Sequence, residues 1–193
     1  QERKARVKWP NGTVSFYEGP KGEERLLRNE FTNGQIEFFT GPKGEERMAK
    51  REQADGSVEF YTGPKGEERL VRKEWPDPDG CVEFFEGPKG EERLLRVAWD
   101  DHVKFYEGLM GEERKVRKEW SDSIVDFYTG PKDEERLVKR EQADGNVAFY
   151  EGPKGEERLA RVKTTDGSMV FFEGLQGEEH QVREEYPDGD VRF

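Results

Sequence analysis

Short apolar segments alternate with polar turn signals along the whole chain, and within the segments apolar and charged residues also alternate. The copy at residues 69–75 reads Arg-Leu-Val-Arg-Lys-Glu-Trp, and the copy at residues 82–86 reads Val-Glu-Phe-Phe-Glu. The i, i+3, i+4 spacing of an amphipathic helix is missing, while β-branched and aromatic residues dominate the second segment. The pattern therefore predicts pairs of short β-strands.

Two kinds of turn separate the segments. The turn inside each pair is usually Asn-Gly or Asp-Gly, as at Asn33-Gly34 and Asp166-Gly167. These dipeptides close two-residue hairpins. The turn between pairs is usually Gly-Pro-Lys-Gly, in which Pro presets φ at the second position and Gly relaxes the fourth. We therefore expect β-hairpins that are joined by tight turns.

The hairpin pattern recurs as an internal repeat. A Gly-x-x-(Gly/Asp)-Glu-Glu unit is spaced by 22, 22, 24, 21, 22, 22 and 22 residues, and it begins at Gly19, Gly41, Gly63, Gly87, Gly108, Gly130, Gly152 and Gly174. Such periodicity indicates a stacked array in which each unit contacts mainly its neighbours. We expect one array over residues 1–193, with about nine hairpin units and partial repeats at both ends, as in a fragment of a longer array.

The expected fold is all-β: an elongated antiparallel meander of repeated β-hairpins in a single-layer twisted sheet. It would contain roughly 17 strands and measure about 80 Å at ~4.8 Å per strand. Length changes fall at the hairpin turn, since residues 75–80 form a longer turn and residues 99–102 a shorter one. This placement is expected, because a one-residue change within a strand would move every side chain to the other face.

A two-residue loop would fix which residues share a face. One face would be packed or used for self-association, and its members would be Trp75, Trp99, Trp120, Phe84, Phe105 and Phe127. The other would be a binding surface of aromatic rings and cations, formed by Tyr61, Phe85, Tyr106, Tyr128, Tyr150, Arg72, Arg96 and Arg117. This register places Glu30 opposite Glu37, and like charges destabilise a sheet, so a register shifted by one residue stays open.

Composition and charge narrow the function. Charged residues make up 40% of the chain, hydrophobic residues 31%, and the net charge is −11. A nucleic-acid partner is not expected, because there is no basic excess to displace counterions. The acidic balance also disfavours anionic membranes, although rows of Lys and Arg could still act there. The single Cys81 rules out an internal disulfide, and no apolar run approaches 18 residues. We expect an intracellular protein, in the cytoplasm.

Candidate catalytic and metal-binding residues are few. Each Glu-Glu pair of the repeat motif is followed by Arg or His, which indicates neutralised surface charge and no metal site. His102 lies in the shortened turn and His180 in an Arg position, and the repeat gives neither a Ser or Cys partner. A repeat array makes symmetric rows, whereas catalysis needs one asymmetric constellation. We therefore expect no enzyme activity and no cofactor.

Several short motifs resemble a known repeat family. Tyr-Glu-Gly occurs at residues 17–19, 106–108 and 150–152, and Trp9-Pro10-Asn11-Gly12 is similar to an aromatic-Pro-Asp/Asn-Gly hairpin turn. The chain thus resembles MORN-type repeats, most closely the variant of multi-copy bacterial repeat proteins. It departs from them because Pro20 and its equivalents follow the Gly and because the family's His-Gly is missing. The resemblance implies an elongated scaffold that often self-associates.

The function expected from these features is a non-catalytic scaffold for protein–protein interaction or self-association, as a homodimer or by end-to-end contact. Two alternatives stay open. One is a membrane-surface or lipid-headgroup module that uses the Arg and Tyr rows. The other is a regulatory repeat domain of a larger enzyme.

Overall fold

In the computed structural model, residues 5–78 and 80–193 are described, and they form strands and turns without a helix. The predicted start of the array at residues 1–4, and Asp79 in the longer turn, lie outside the described residues. The chain comprises two compact units, residues 1–97 and residues 98–193. Among the described residues no helix is long and apolar enough to cross a membrane.

The first unit is built from β1 to β9. Their bounds are β1 Ala5–Lys8, β2 Val14–Glu18, β3 Arg25–Glu30, β4 Ile36–Thr40, β5 Arg47–Glu52, β6 Val58–Thr62, β7 Arg69–Glu74, β8 Val82–Glu86 and β9 Arg93–Ala98, the last of which ends one residue into the second unit. The second unit is built from β10 His102–Glu107, β11 Arg114–Trp120, β12 Val125–Thr129, β13 Arg136–Glu141, β14 Val147–Glu151, β15 Arg158–Lys163, β16 Met169–Glu173, β17 His180–Glu185 and β18 Val191–Arg192.

Strands pair antiparallel with the next strand along the chain, from β1 to β8 in the first unit and from β10 to β18 in the second. In each unit the result is an antiparallel meander of repeated hairpins. The expected all-β fold is confirmed.

The predicted two-residue loop is wrong for most hairpins. In the first hairpin the Trp9 N–H donates to the Thr13 carbonyl at 2.8 Å, and the Gly12 N–H donates to the Trp9 carbonyl at 2.9 Å. Three residues, Pro10 to Gly12, therefore form the loop, and Gly12 takes a φ of 86°. This is a tight turn followed by a left-handed residue, which the Asn-Gly dipeptide suits as well as it suits a two-residue loop.

The hairpin at residues 99–102 is the exception. Its Trp99 N–H donates to the His102 carbonyl at 2.8 Å, so only Asp100 and Asp101 form the loop. The deletion of one residue therefore converts a three-residue loop into a two-residue one. The flanking strands keep their pattern of alternating faces.

A β-bulge lies opposite the junction between the two adjacent aromatic residues of most repeats. Phe16 pairs with Arg28 and Tyr17 pairs with Leu26, so Leu27 is the extra residue on β3. The same shift recurs in the pairs β4–β5, β6–β7, β10–β11, β12–β13, β14–β15 and β16–β17. Because the bulge interrupts the ladder, the backbone N–H groups near it need other acceptors.

A hairpin loop that is one residue longer than predicted moves the strand register by one residue. It therefore changes which side chains share a face of the sheet. Direct cross-strand partners share a face, and Arg72 lies opposite Phe84, not opposite an aromatic residue of the Tyr row. In the same register Lys73 lies opposite Glu83. The predicted pairing of like charges is therefore wrong as well, because Glu37 lies opposite Asn29 and Arg51.

Each unit consequently has two faces of different chemistry. We call one the Phe face, with Phe60 and Arg72 in the first unit and Phe127 and Lys139 in the second. We call the other the Trp face, with Tyr61 and Trp75 in the first unit and Tyr128 and Trp120 in the second.

Little of either unit is buried. Among the described residues the buried apolar side chains are Val14, Cys81, Val97 and Ala148, and no aromatic ring belongs to that group. Several of the described strands are half-buried along their whole length, namely β3, β4, β5, β6, β8, β11 and β13. Neither face of a unit is packed as a closed core, so contacts across and between hairpins hold the fold together.

Candidate binding face

The Phe face repeats one contact in every hairpin. The cation of the following strand lies over the ring of each Phe, as Arg96 does over Phe84 at 4.0 Å and Arg117 over Phe105 at 4.1 Å. Lys139 lies over Phe127 at 4.6 Å and Arg72 over Phe60 at 5.0 Å. Each such contact contributes about 0.5–1 kcal/mol at an exposed site, so the row stabilises the sheet and shields its rings from water.

Most of these cations are also neutralised. A Glu two residues along the same strand forms an ion pair with them in Arg28–Glu30, Lys50–Glu52, Arg72–Glu74, Arg117–Glu119, Lys139–Glu141 and Arg183–Glu185. The Phe face therefore presents a repeating surface on which most cations are neutralised, while Arg96 and Arg161 have Ala98 and Lys163 in place of the Glu. Arg72, Arg96 and Arg117, which the sequence placed with the Tyr row, all belong to this surface.

The predicted groups of aromatic residues are divided differently in the structure. Trp75, Trp99 and Trp120 lie on the Trp face together with Tyr61, Phe85, Tyr106, Tyr128 and Tyr150, whereas Phe84, Phe105 and Phe127 lie on the Phe face. Each predicted surface thus combines members of both faces, because the register differs by one residue.

The Gly-Pro-Lys-Gly-Glu-Glu-Arg motif links each hairpin to the next one. Glu46 accepts from the Gly44 N–H in its own turn at 2.8 Å and from the Leu26 N–H of the preceding repeat at 3.2 Å. Lys43 donates to the Gly22 carbonyl at 2.6 Å, and Arg25 reaches the Gly41 carbonyl at 3.3 Å. The second Glu of the motif is therefore an acceptor for a backbone N–H of the preceding repeat, at Leu26, next to the bulge residue Leu27.

The charge on this Glu is stabilised where it lies. Partial burial raises the pKa of Glu46, but hydrogen bonds from the backbone N–H groups of Glu46, Leu26 and Gly44 outweigh it, so the pKa lies below its ordinary value. The same balance lowers the pKa of Glu68 and Glu135.

A ladder of polar residues crosses the Trp face of the first unit. Its cross-strand partners, in order, are Ser15, Asn29, Glu37, Arg51, Glu59, Lys73 and Glu83. The Arg51 guanidinium donates to Glu37 at 3.1 Å and to the Tyr61 hydroxyl at 3.0 Å, and Tyr61 donates to Glu59 at 2.6 Å. Burial and the hydrogen bond to Glu59 raise the pKa of Tyr61. From Asn29 onward each charged residue faces an amide or an opposite charge.

The same ladder in the second unit has a different composition. It runs through Lys104, Lys118, Asp126, Arg140, Ala148, Val162, Val170, Glu184 and Arg192. It therefore begins with two lysines, passes through an acid–base pair and continues into three apolar residues. The Phe face, by contrast, keeps Phe and a cation at every copy.

Asp126 is the most buried acid of this ladder, with 2% of its side chain exposed. The Arg140 guanidinium donates to both of its oxygens at 2.6 and 3.0 Å, and the Trp120 indole donates at 3.1 Å. Burial raises the pKa of Asp126. The hydrogen bonds from Arg140 and then Trp120 lower it by more, so the pKa lies below its ordinary value. Burial and the neighbouring Asp126 raise the pKa of Tyr128 to about 12.

Three lysines of the second unit lie over aromatic rings. The Nζ atoms of Lys104, Lys118 and Lys115 stand 4.4 Å from the Trp99 ring, 3.2 Å from the Trp120 ring and 3.6 Å from the Tyr128 ring, respectively. We call these six residues the lysine patch. His102 belongs to the same surroundings, since its ring stacks on Trp99 at 4.6 Å and lies 5.4 Å from Trp120.

Lys104, Lys115, Lys118 and Asp126 are not among the site residues that the sequence pattern predicts. An alignment of the repeats contains the signal, because Lys115 stands where other copies have Leu26, Met48, Leu70, Leu137 and Leu159. This signal predicts a patch only once the strand register is known, because the register places Lys115 on the same face as Lys104 and Lys118.

Comparisons with known proteins assign this chain to no family. No family model matches the chain, and no curated protein matches it. One similar solved structure, the G-box domain of the microcephaly protein CPAP, is reported with a suggested role in centriole elongation. It is 15% identical, with a TM-score of 0.36, over 98% of this chain and 90% of that one.

Proposed function

We propose that this chain is a non-catalytic repeat scaffold that binds protein through its Trp face. The observation that carries the proposal is the contrast between the two faces. The Phe face repeats the same capped ring in each hairpin, while the ladder of the Trp face changes from alternating charges to lysines and then to Ala148, Val162 and Val170. A surface that only stabilises the repeat can be uniform, whereas differences from copy to copy allow a partner to distinguish one repeat from another.

The composition of the Trp face supports this role. Trp, Tyr and Arg are enriched where proteins bind each other, and here they remain half-exposed. The likeness of the hairpins to MORN-type repeats points to the same use, as a scaffold that binds partners or its own copies. The single buried Cys81 fits a reducing, intracellular location.

Two adjacent residues allow a matched test of the two faces. Arg161 lies on the Phe face opposite Phe171, and Val162 lies on the Trp face opposite Ala148 and Val170. A photoreactive benzoylphenylalanine would be placed at either position and irradiated in cells that make the protein. We expect discrete protein adducts from position 162 and few from position 161.

The outcome separates the faces and also the kind of partner. Adducts that contain only this chain would support self-association, and adducts with a second protein would support a heterologous scaffold. Equal yields from positions 161 and 162, or no adducts from position 162, would contradict the proposal.

A further inference from the structure

The lysine patch departs from the charge pattern of the rest of the Trp face. Lys104 and Lys118 are direct cross-strand partners, and like charges in that relationship destabilise a sheet. In the first unit the ladder position of Lys104 is occupied by Ser15, Glu37, Glu59 and Glu83. A glutamate at position 104 would complete the alternation and remove the like-charge pair, whereas the structural gain from the lysine is its contact with the exposed face of the Trp99 ring.

The carboxylates close to the patch are already engaged. Asp126 accepts from Arg140 and Trp120, and Asp101 bonds the Nδ1 atom of His102 at 2.6 Å. Glu135 accepts from the backbone N–H of Lys115 at 3.1 Å.

The described ion pairs of the Trp face are Arg51 with Glu37 and Glu59, Lys73 with Glu59, His102 with Asp101 and Arg140 with Asp126. None of these pairs includes a lysine of the patch. Burial, and next the charge of Lys104, lower the pKa of both Lys115 and Lys118. The described carboxylates near the patch therefore do not fully balance the positive charge of its three lysines, although the net charge of the protein is −11.

We infer that the lysine patch is a binding site for a short acidic peptide segment of a partner protein. Three ammonium groups would face its carboxylates, while the rings of Trp99, Trp120 and Tyr128 offer apolar area beside them. Complementary charge steers association and fixes the register of a partner. An acidic protein segment fits better than nucleic acid or an anionic membrane, because the net charge of the whole chain repels an extended polyanion.

This inference rests on the proposed function and adds the chemistry of the partner. The probe would be a fluorescein-labelled hexaglutamate peptide, with hexaglutamine as its control, measured by anisotropy at low and physiological salt. We expect the full chain to bind hexaglutamate, with weaker binding at the higher salt, and not to bind hexaglutamine.

Two variants remove the patch and are expected to strengthen the fold. Lys104→Glu restores the ladder, and Lys115→Leu restores the residue type of the other repeats. Both should raise the thermal midpoint and weaken hexaglutamate binding by about tenfold or more, the loss of one close charge pair. Because these variants would be more stable than the parent, lost binding could not come from misfolding.

The matched control is Lys73→Gln. Lys73 lies over the Trp75 ring at 3.7 Å, as the patch lysines lie over theirs, but it stands between Glu59 and Glu83 in the ladder. Its loss should leave the affinity within about twofold of the parent, because its charge is balanced.

Three outcomes would overturn the inference: no binding of hexaglutamate at low salt, an equal loss with Lys73→Gln, or tighter binding of an oligothymidylate than of the peptide. Photocrosslinking at position 162 does not involve the patch, so its failure would overturn the proposed function separately. Adducts at position 162 without hexaglutamate binding would leave the proposed function standing and remove this inference alone.

Discussion

Glu46 accepts a hydrogen bond from the backbone N–H of Leu26, twenty residues earlier and one repeat away. The other oxygen of the same carboxylate accepts from the Gly44 N–H. One side chain thus closes its own turn and supplies an acceptor beside the neighbouring bulge. With so little buried apolar surface, such bonds between repeats take over part of the role that a core has in other folds.

Glu46→Gln is expected to lower stability by about 2 kcal/mol, because the amide has only one acceptor oxygen: one of the two charge-assisted hydrogen bonds becomes neutral, and the other is lost where a backbone N–H faces the NH2 group. Glu45→Gln is the matched control, since the adjacent Glu45 contributes its backbone to the turn and its side chain is exposed. Urea unfolding of both variants measures the difference. Equal stabilities for the two variants would show that the carboxylate of Glu46 does not link the repeats.

Acid should weaken the array through the same residues. The pKa values of Glu46, Glu68 and Glu135 lie below the ordinary value of 4.5 in the folded protein. The ionised forms therefore stabilise the fold above pH 4.5, and this contribution is lost as the pH falls through the lower folded pKa values. Thermal midpoints that decline below pH 4.5, and decline less steeply in Glu46→Gln, would agree with this assignment. A midpoint independent of pH in that range would contradict it.

Two glycines of one turn should differ in their tolerance of alanine. Gly63 has a φ of 124°, and an added Cβ would lie 2.6 Å from the Glu67 carbonyl oxygen. Gly66 has a φ of 83° and open space around it. We expect Gly66→Ala to cost about 1 kcal/mol from backbone strain alone, and Gly63→Ala about 3 kcal/mol from strain and collision together. Equilibrium unfolding of both variants checks the order, and equal costs would contradict this turn geometry.

The Asp126–Arg140 pair should matter more than a surface charge. Asp126→Asn leaves Arg140 beside a buried neutral amide, and we expect a loss of about 2 kcal/mol, reduced from the value for a fully buried pair because Arg140 is partly exposed. Asp122→Asn in the same hairpin changes an exposed acid and should alter stability by about 0.5 kcal/mol or less. If the two variants lose equal stability, Asp126 is not the anchor of this part of the Trp face.

The strands and the repeat could be predicted from the sequence because they depend on local patterns. Alternating apolar residues, Asn-Gly and Asp-Gly turns and the recurring Gly-Pro-Lys-Gly each act within a few residues. The strand register could not be predicted, because Asn-Gly suits hairpin loops of two and of three residues. The length of the loop shifts every cross-strand partner by one residue. The predicted clash of Glu30 with Glu37 was the one sign of the longer loop.

The composition of the faces followed from that register and not from any single motif. Arg72 opposite Phe85, as predicted, and Arg72 opposite Phe84, as observed, are equally good local patterns, since a cation stacks on either ring. The bulge at Leu27 is also set by pairing between strands. Lys104, Lys115 and Lys118 form a patch only after the bulge and the loop have placed them together.

Binding of a partner protein at the lysine patch is the central claim. The most direct measurement is a titration of the four tryptophan indole N–H signals by NMR with hexaglutamate, with hexaglutamine as the blank. We predict saturable shifts for Trp99 and Trp120 and none for Trp9 and Trp75. Equal shifts of all four signals, or no shifts, would contradict the claim.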